Sequence, residues 1–197
     1  MQKQPPPHHP ESHAPVQALL AVDMQCAFVH GDGAVPHADR LLDRVRDLMA
    51  RARESGAFVV QLQNDGEPGS PDEPGTPGWA VALPVDTDRG EVVLRKTVDD
   101  GFEGTRLEEL LKEAGVTELA ICGVMSEMCV SATARTALDL DFRVVLPHDA
   151  HATYDIPAAE GISDLVPAAM VSRVAEWALG DEVEIAVRAS DVGFTKP

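Results

Sequence analysis

The chain is short of cysteine, of basic residues and of long apolar runs, and each shortage excludes something. Its three cysteines, Cys26, Cys122 and Cys129, form no disulfide framework and leave at least one free thiol, which suits a reducing, cytoplasmic compartment. Sixteen Lys and Arg stand against 33 Asp and Glu, a formal net charge of -17. Such a balance argues against nucleic acid or an anionic membrane as partner and draws cationic small molecules toward the surface. No apolar run approaches the ~20 residues that span a bilayer, and the N-terminus lacks the basic-then-apolar plan of a signal peptide. There is no internal repeat and no Gly-rich dinucleotide fingerprint. Gly101-Phe102-Glu103-Gly104 has the wrong spacing and precedes a helix instead of directly following a strand.

A chain of 197 residues can bury one sizeable core. The expected organisation is a disordered tail over residues 1–15 and a single domain over 16–197. The tail carries Pro5-Pro6-Pro7-His8-His9-Pro10, which cannot nucleate regular structure, and its histidines have no fixed geometry for a metal.

Short apolar runs then alternate with amphipathic segments. Val16–Val22 reads as a buried strand ending at Asp23. Leu41, Leu42, Val45, Leu48, Met49 and Ala52 recur at helical spacing, and Gly56 stops that helix before a strand over Ala57–Leu62. Residues 63–90 form a long Gly- and Pro-rich connection in which Trp79 predicts an ordered loop lining a site. A strand over Glu91–Leu94 leads to Lys96. Thr105-Arg106-Leu107-Glu108 is a capping-box pattern opening a helix that Gly115 closes. Strands at Glu118–Cys122, Phe142–Leu146 and Glu182–Val187 follow, with helices after Cys129 and within roughly 158–179. Together these predict an α/β, three-layer Rossmann-like fold with a mostly parallel six-stranded sheet flanked by helices.

In such a sheet the ligand crevice lies beyond the carboxyl ends of the strands. Asp23, Lys96 and Cys129 all sit at such ends. Ser126 reads as a helix N-cap, which puts Cys129 in the first helical turn, where unpaired N–H groups and the helix dipole favour the thiolate. Taken alone, a cysteine in so Ala-rich a stretch reads as a small buried residue. Asp23 alone reads as a turn cap, and Lys96 as a solvated charge. A carboxylate, an ammonium and a thiol at one edge read instead as the apparatus of nucleophilic amide hydrolysis.

Val22-Asp23-Met24-Gln25 with Phe28, Lys96 followed by Phe102-x-Gly104-Thr105-x-Leu107, and Gly123-Val124-x-Ser126-x-x-Cys129-Val130-x-x-Thr133-Ala134 resemble the isochorismatase-like cysteine hydrolases. The resemblance implies that Asp23 accepts the proton of Cys129, that Lys96 holds the carboxylate, and that Cys129 forms an acyl-enzyme. It further implies an oxyanion hole from the N–H groups of Met125 and Cys129, beside a cis Val124–Met125 peptide. Nicotinamidases of the family carry an Asp-x-His motif that binds a metal. The corresponding Gln63-Asn64-Asp65-Gly66 has no histidine, so the expected metal and cofactor content is none. Isochorismate-cleaving members lack the cysteine, so Cys129 points to a C–N bond.

Asp99-Asp100-Gly101-Phe102 and His148-Asp149-x-His151-Ala152-Thr153-Tyr154-Asp155 most resemble the streptothricin hydrolase subgroup, which opens the lactam of a polycationic antibiotic. That implies substrate contacts from Phe28, Asp99, Asp100, Phe102, His151 and Tyr154, the acids either lining the crevice or remaining solvated loop residues. The implied partner is a small cationic amide, and the implied assembly a homo-oligomer, dimer or tetramer. Two readings compete with lactam opening. One is a nicotinamidase-like or carbamoyl amidase acting on small primary amides, and the other is a non-catalytic binding or redox-sensing protein.

Overall fold

Apolar residues fill every position of the first strand, β1 (Ala18–Val22), and the alternation of its side chains splits them between two cores. Leu19 and Ala21 join one, while Ala18, Leu20 and Val22 join the other. A strand buried on both faces needs helices on both. The computed structural model, which describes residues 14–197, supplies them. The predicted tail, with His8, His9 and His13, lies almost wholly outside the described residues.

The remaining strands are β2 (Phe58–Asn64), β3 (Val92–Lys96), β4 (Glu118–Val124), β5 (Arg143–Pro147), β6 (His151–Ala152) and β7 (Glu184–Ala186). The helices are α1 (Cys26–Val29), α2 (Ala38–Ser55), α3 (Leu107–Glu113), α4 (Ser131–Asp139) and α5 (Ala168–Ala178). The strand order is β3-β2-β1-β4-β5-β7, with β6 beside β4, and every pairing is parallel. The sheet thus has seven strands where six were expected. The extra one, β6, is two residues long and too short to show a period. Leu41, Leu42, Val45, Leu48 and Met49 of α2 cover one face; Leu107 and Leu111 of α3 and Ala134 and Ala137 of α4 cover the other.

Two local expectations, the capping box and the bounds of the last strand, are corrected. Thr105 and Glu108 form no capping box: Thr105 Oγ1 accepts from Leu107 N at 3.1 Å, and Glu108 pairs with Lys112 one turn on. The helix expected within roughly 158–179 is α5, Ala168–Ala178. Ahead of it, Ile156 and Val166 exchange backbone hydrogen bonds at 2.9 Å, because a residue preceding proline, here Pro167, favours extended backbone. The last strand is trimmed to Glu184–Ala186.

The chain leaves β1 toward β2 on one side and later returns to pair β4 on the other, so the sheet reverses its winding between β1 and β4. That is where a parallel sheet opens a crevice. Gly123 makes the approach of these strands possible. Its φ is 120°, and a Cβ there would stand 2.0 Å from the Val22 carbonyl oxygen. Asp23 therefore emerges beside the β4 segment that leads to Cys129.

Candidate active site

Asp23 leaves β1 at φ 49°, with its N–H donating to Leu62 O at 3.0 Å, and its side chain turns into the crevice. Lys96, the last residue of β3, reaches the same point from two strands away. Its Nζ lies 2.8 Å from Asp23 Oδ2, 3.1 Å from Val98 O and 3.4 Å from Cys129 Sγ. An ammonium has three donors, and these three acceptors use them all. The Lys96 and Asp23 side chains are 0% and 3% exposed. Burial alone would push Lys96 down, but Asp23 and Cys129 outweigh it and hold the ammonium above its ordinary range. Burial pushes Asp23 up, against the pull of Lys96. Its Oδ1 accepts no hydrogen bond from the described residues.

Cys129 lies ahead of α4, in a kinked helical turn over Ser126–Val130. Met128, at φ -108° and ψ -107°, interrupts the turn, and regular helix begins only at Ser131. The Val124–Met125 peptide is cis. Ser126 is not an N-cap. Its hydroxyl is drawn instead to His151 Nδ1 at 2.8 Å and Ser172 Oγ at 2.9 Å, while its carbonyl accepts from Ser131 Oγ at 2.7 Å.

Burial and the carboxylates of Asp23 and Asp99 push the Cys129 thiol up, against the pull of Lys96. Fully buried Cys122 is pushed up to about 12 by burial and belongs to the core.

The other expected site residues separate into those at the thiol and those elsewhere. Asp99 Oδ1 stands 3.5 Å from Cys129 Sγ, and the residue is exposed. Asp100 is committed to its own chain, accepting from Phe102 N at 2.9 Å and Thr136 Oγ1 at 2.7 Å. Gly101 lies between α4 and β2: its N–H donates to Thr133 Oγ1 at 3.0 Å, and a Cβ there would meet Leu62 Cδ1 at 2.4 Å. Phe102 stacks on Phe142 with ring centres 6.2 Å apart, and Phe28 packs half-buried on the α2-side core. Tyr154 donates to Gly33 O at 2.6 Å, and His151 is buried behind the reactive turn. Asp149 pairs with Arg44 at 3.1 Å, and Asp155 accepts from Ala168 N at 2.7 Å.

The long loop is ordered and packs beside Asp23. Gln25, fully buried, accepts from Asn64 N at 2.8 Å and donates to Asn64 O and Trp79 O, both at 3.0 Å. Trp79 Nε1 in turn donates to Asp65 at 2.9 Å. The stretch that binds metal in nicotinamidases does not fit one here. Gln63 donates to Trp79 O, Asn64 donates to Asp72, and Asp65 is held by Trp79 and Arg95.

Sequence reasoning missed Glu176, which is 3% exposed on α5 and holds His148 and His151. Its signal was present. Val171, Ser172, Ala175 and Glu176 fall on one helical face, and an acid on an otherwise buried face needs a partner.

The Isochorismatase domain family matches residues 17–176. Two streptothricin hydrolases from Streptomyces noursei are each 69% identical to this chain, over 182 and 180 residues, covering 92% and 91% of it. The chain spans 66% and 71% of the length of those relatives. The crystal structure of an isochorismatase from Pseudomonas putida superposes with a TM-score of 0.81 at 26% identity, covering 91% of this chain and 93% of that one. The sheet order, the Asp23–Lys96–Cys129 cluster and these matches agree: the chain belongs to the isochorismatase family.

Proposed function

We propose that the protein is a cysteine amidohydrolase that opens a cyclic amide in a cationic small molecule, with streptothricin as the first substrate to test. The observation that carries the chemistry is Lys96 Nζ, which bridges Asp23 and Cys129 in a buried cluster at the switch point of the sheet. Burial and the neighbouring carboxylates push the Cys129 thiol up, so in this mechanism proton transfer accompanies attack. As Sγ bonds to the carbonyl carbon, Asp23 takes the thiol proton on its free Oδ1. The developing oxyanion is received by the N–H groups of Met125 and Cys129. The C–N bond then breaks as Asp23 returns the proton to nitrogen, leaving a thioester. Water gives a proton to Asp23 and attacks the thioester, the C–S bond breaks, and the thiol recovers its proton. Lys96 keeps its proton throughout and holds the carboxylate in register. No step needs a metal.

The substrate class rests on the relatives and on Asp99, whose carboxylate stands beside Sγ where a cationic group next to the scissile amide would pair with it. Incubation with streptothricin should add the mass of one water and release no fragment, since the cleaved amide is in a ring. Unchanged streptothricin, with ammonia released from a panel of primary amides, would overturn the cyclic-amide reading. Asp99→Asn should raise KM for the cationic substrate by roughly 10-fold, about 1.4 kcal/mol. The same change should speed alkylation of Cys129 by neutral iodoacetamide, because one of the carboxylates that hold the thiol protonated is gone. An unchanged KM would remove Asp99 from recognition.

The assembly proposed is a homo-oligomer, dimer or tetramer. Met170, Val174 and Trp177 lie on one side of α5 and are 55%, 61% and 77% exposed, an apolar stripe that suits burial against a second copy. Light scattering should report at least a dimer, and Trp177→Glu should shift it toward monomer; a wild-type monomer would remove the proposal. All three cysteines are free, which supports a reducing, cytoplasmic setting. No helix of the described residues is long and apolar enough to cross a membrane.

A further inference from the structure

Away from the thiol, three ligating side chains converge at the junction of β5, β6 and α5. Glu176 Oε1 meets His148 Nδ1 at 2.5 Å and His151 Nε2 at 3.0 Å, and the three atoms lie within 4.8 Å of one another. We propose that His148, His151 and Glu176 form a divalent transition-metal site of the zinc and cobalt class, separate from the thiol centre and independent of the proposed reaction.

Two imidazoles and one carboxylate are a ligand set suited to such ions, with a position left for water. The surroundings are those of a built site. The Glu176 and His151 side chains are 2% and 0% exposed, so the carboxylate and one ring are fixed in the interior. The His148 side chain is 48% exposed and gives an ion a way in. The second ring nitrogen of His151, Nδ1, is held by Ser126 Oγ at 2.8 Å, and Ser126 Oγ is held in turn by Ser172 Oγ. Outer hydrogen bonds of this kind orient a ligating histidine and fix which nitrogen faces the ion. The other carboxylate oxygen, Oε2, has Arg173 Nη1 at 3.4 Å, which leaves Oε1 as the ligating atom. Both imidazoles thus point at one buried oxygen. An ion bound there would replace these hydrogen bonds with bonds to the three ligands, each neutral imidazole then carrying its one proton on the nitrogen that faces away from the ion.

The test uses the full chain, stripped with chelator and titrated with Co(II). One equivalent should produce the visible d–d absorption of a low-coordinate site without a thiolate charge-transfer band. His148→Ala, a change at a half-exposed side chain, should weaken binding at least about 10-fold, and Ser126→Ala roughly 10- to 100-fold through the loss of the outer hydrogen bond. Cys129→Ala and a variant with His8, His9 and His13 all changed to alanine should bind Co(II) as the wild type does. Binding that survives His148→Ala, or that disappears with Cys129 or with the three N-terminal histidines, would overturn the proposal. So would the absence of any saturable absorption in the wild type.

Discussion

Replacing Cys129 with alanine should lower kcat/KM by at least about 10,000-fold while leaving substrate binding intact, a loss of the size seen when the nucleophile of an acyl-transfer site is removed. Asp23 and Lys96 would still meet at 2.8 Å in the variant, but neither can form the acyl intermediate. Rapid quenching and protein mass spectrometry check the intermediate directly. With a cyclic amide the wild type should gain the mass of the whole substrate, because the broken C–N bond releases nothing. With a primary amide it should gain the substrate mass less ammonia. Cys129→Ala should gain neither. Substantial turnover by the alanine variant would end the thioester mechanism.

The protonation pattern gives this reaction a direction in pH. In the proposed mechanism Asp23 must be ionised to accept the thiol proton, and burial raises its pKa above the ordinary carboxylate value. Activity should therefore fall as pH drops through that raised pKa. Alkylation of Cys129 by a neutral reagent should instead keep rising with pH into the alkaline range, because the thiol has been pushed up.

Lys96→Ala should cost both activity and stability, with about 3–5 kcal/mol lost from the unfolding free energy. The ammonium is the counter-charge of a carboxylate that is 3% exposed, and its removal leaves that carboxylate unpaired in the interior. Denaturant unfolding should show the midpoint shift. A Lys96→Ala, Asp23→Ala double variant should recover part of the stability, since no lone charge is then buried, and none of the activity. A single variant as stable as the wild type would show that Asp23 does not depend on this partner. The comparison separates stability from catalysis, which a single substitution at this cluster cannot do.

The reactive cluster was legible because strand ends are marked by local features. Asp23 stops an apolar run, Lys96 closes a β-branched one, and Gly123 precedes the turn with Cys129. In a parallel sheet those marks fall along one edge without further information. What could not be read is what depends on partners distant in sequence. Ser126 has the chemistry of an N-cap and becomes part of a hydrogen-bond chain only because His151 and Ser172 arrive from 25 and 46 residues away. Asp100 resembled Asp99 in every local respect, yet Thr136 of α4 claims one of them and leaves the other at the thiol. The upward push on the Cys129 thiol could not be read for the same reason. A helix start is a local feature, whereas the burial and the two carboxylates that oppose it come from the assembled site.

The way the long loop is fastened beside Asp23 has a bearing on how this scaffold can be re-engineered. Cys26 N donates to Ala80 O at 2.8 Å and Ala27 N to Gly78 O at 2.9 Å, and the Gln25 amide reads only main-chain atoms of Asn64 and Trp79. These anchors recognise backbone and are indifferent to the side chains the loop presents. Residues 66–77 can accordingly be varied as a cassette provided Asp72, which is buried and accepts from Asn64 Nδ2 at 2.7 Å, is kept, while the strand ends that carry Asp23, Lys96 and Cys129 stay untouched.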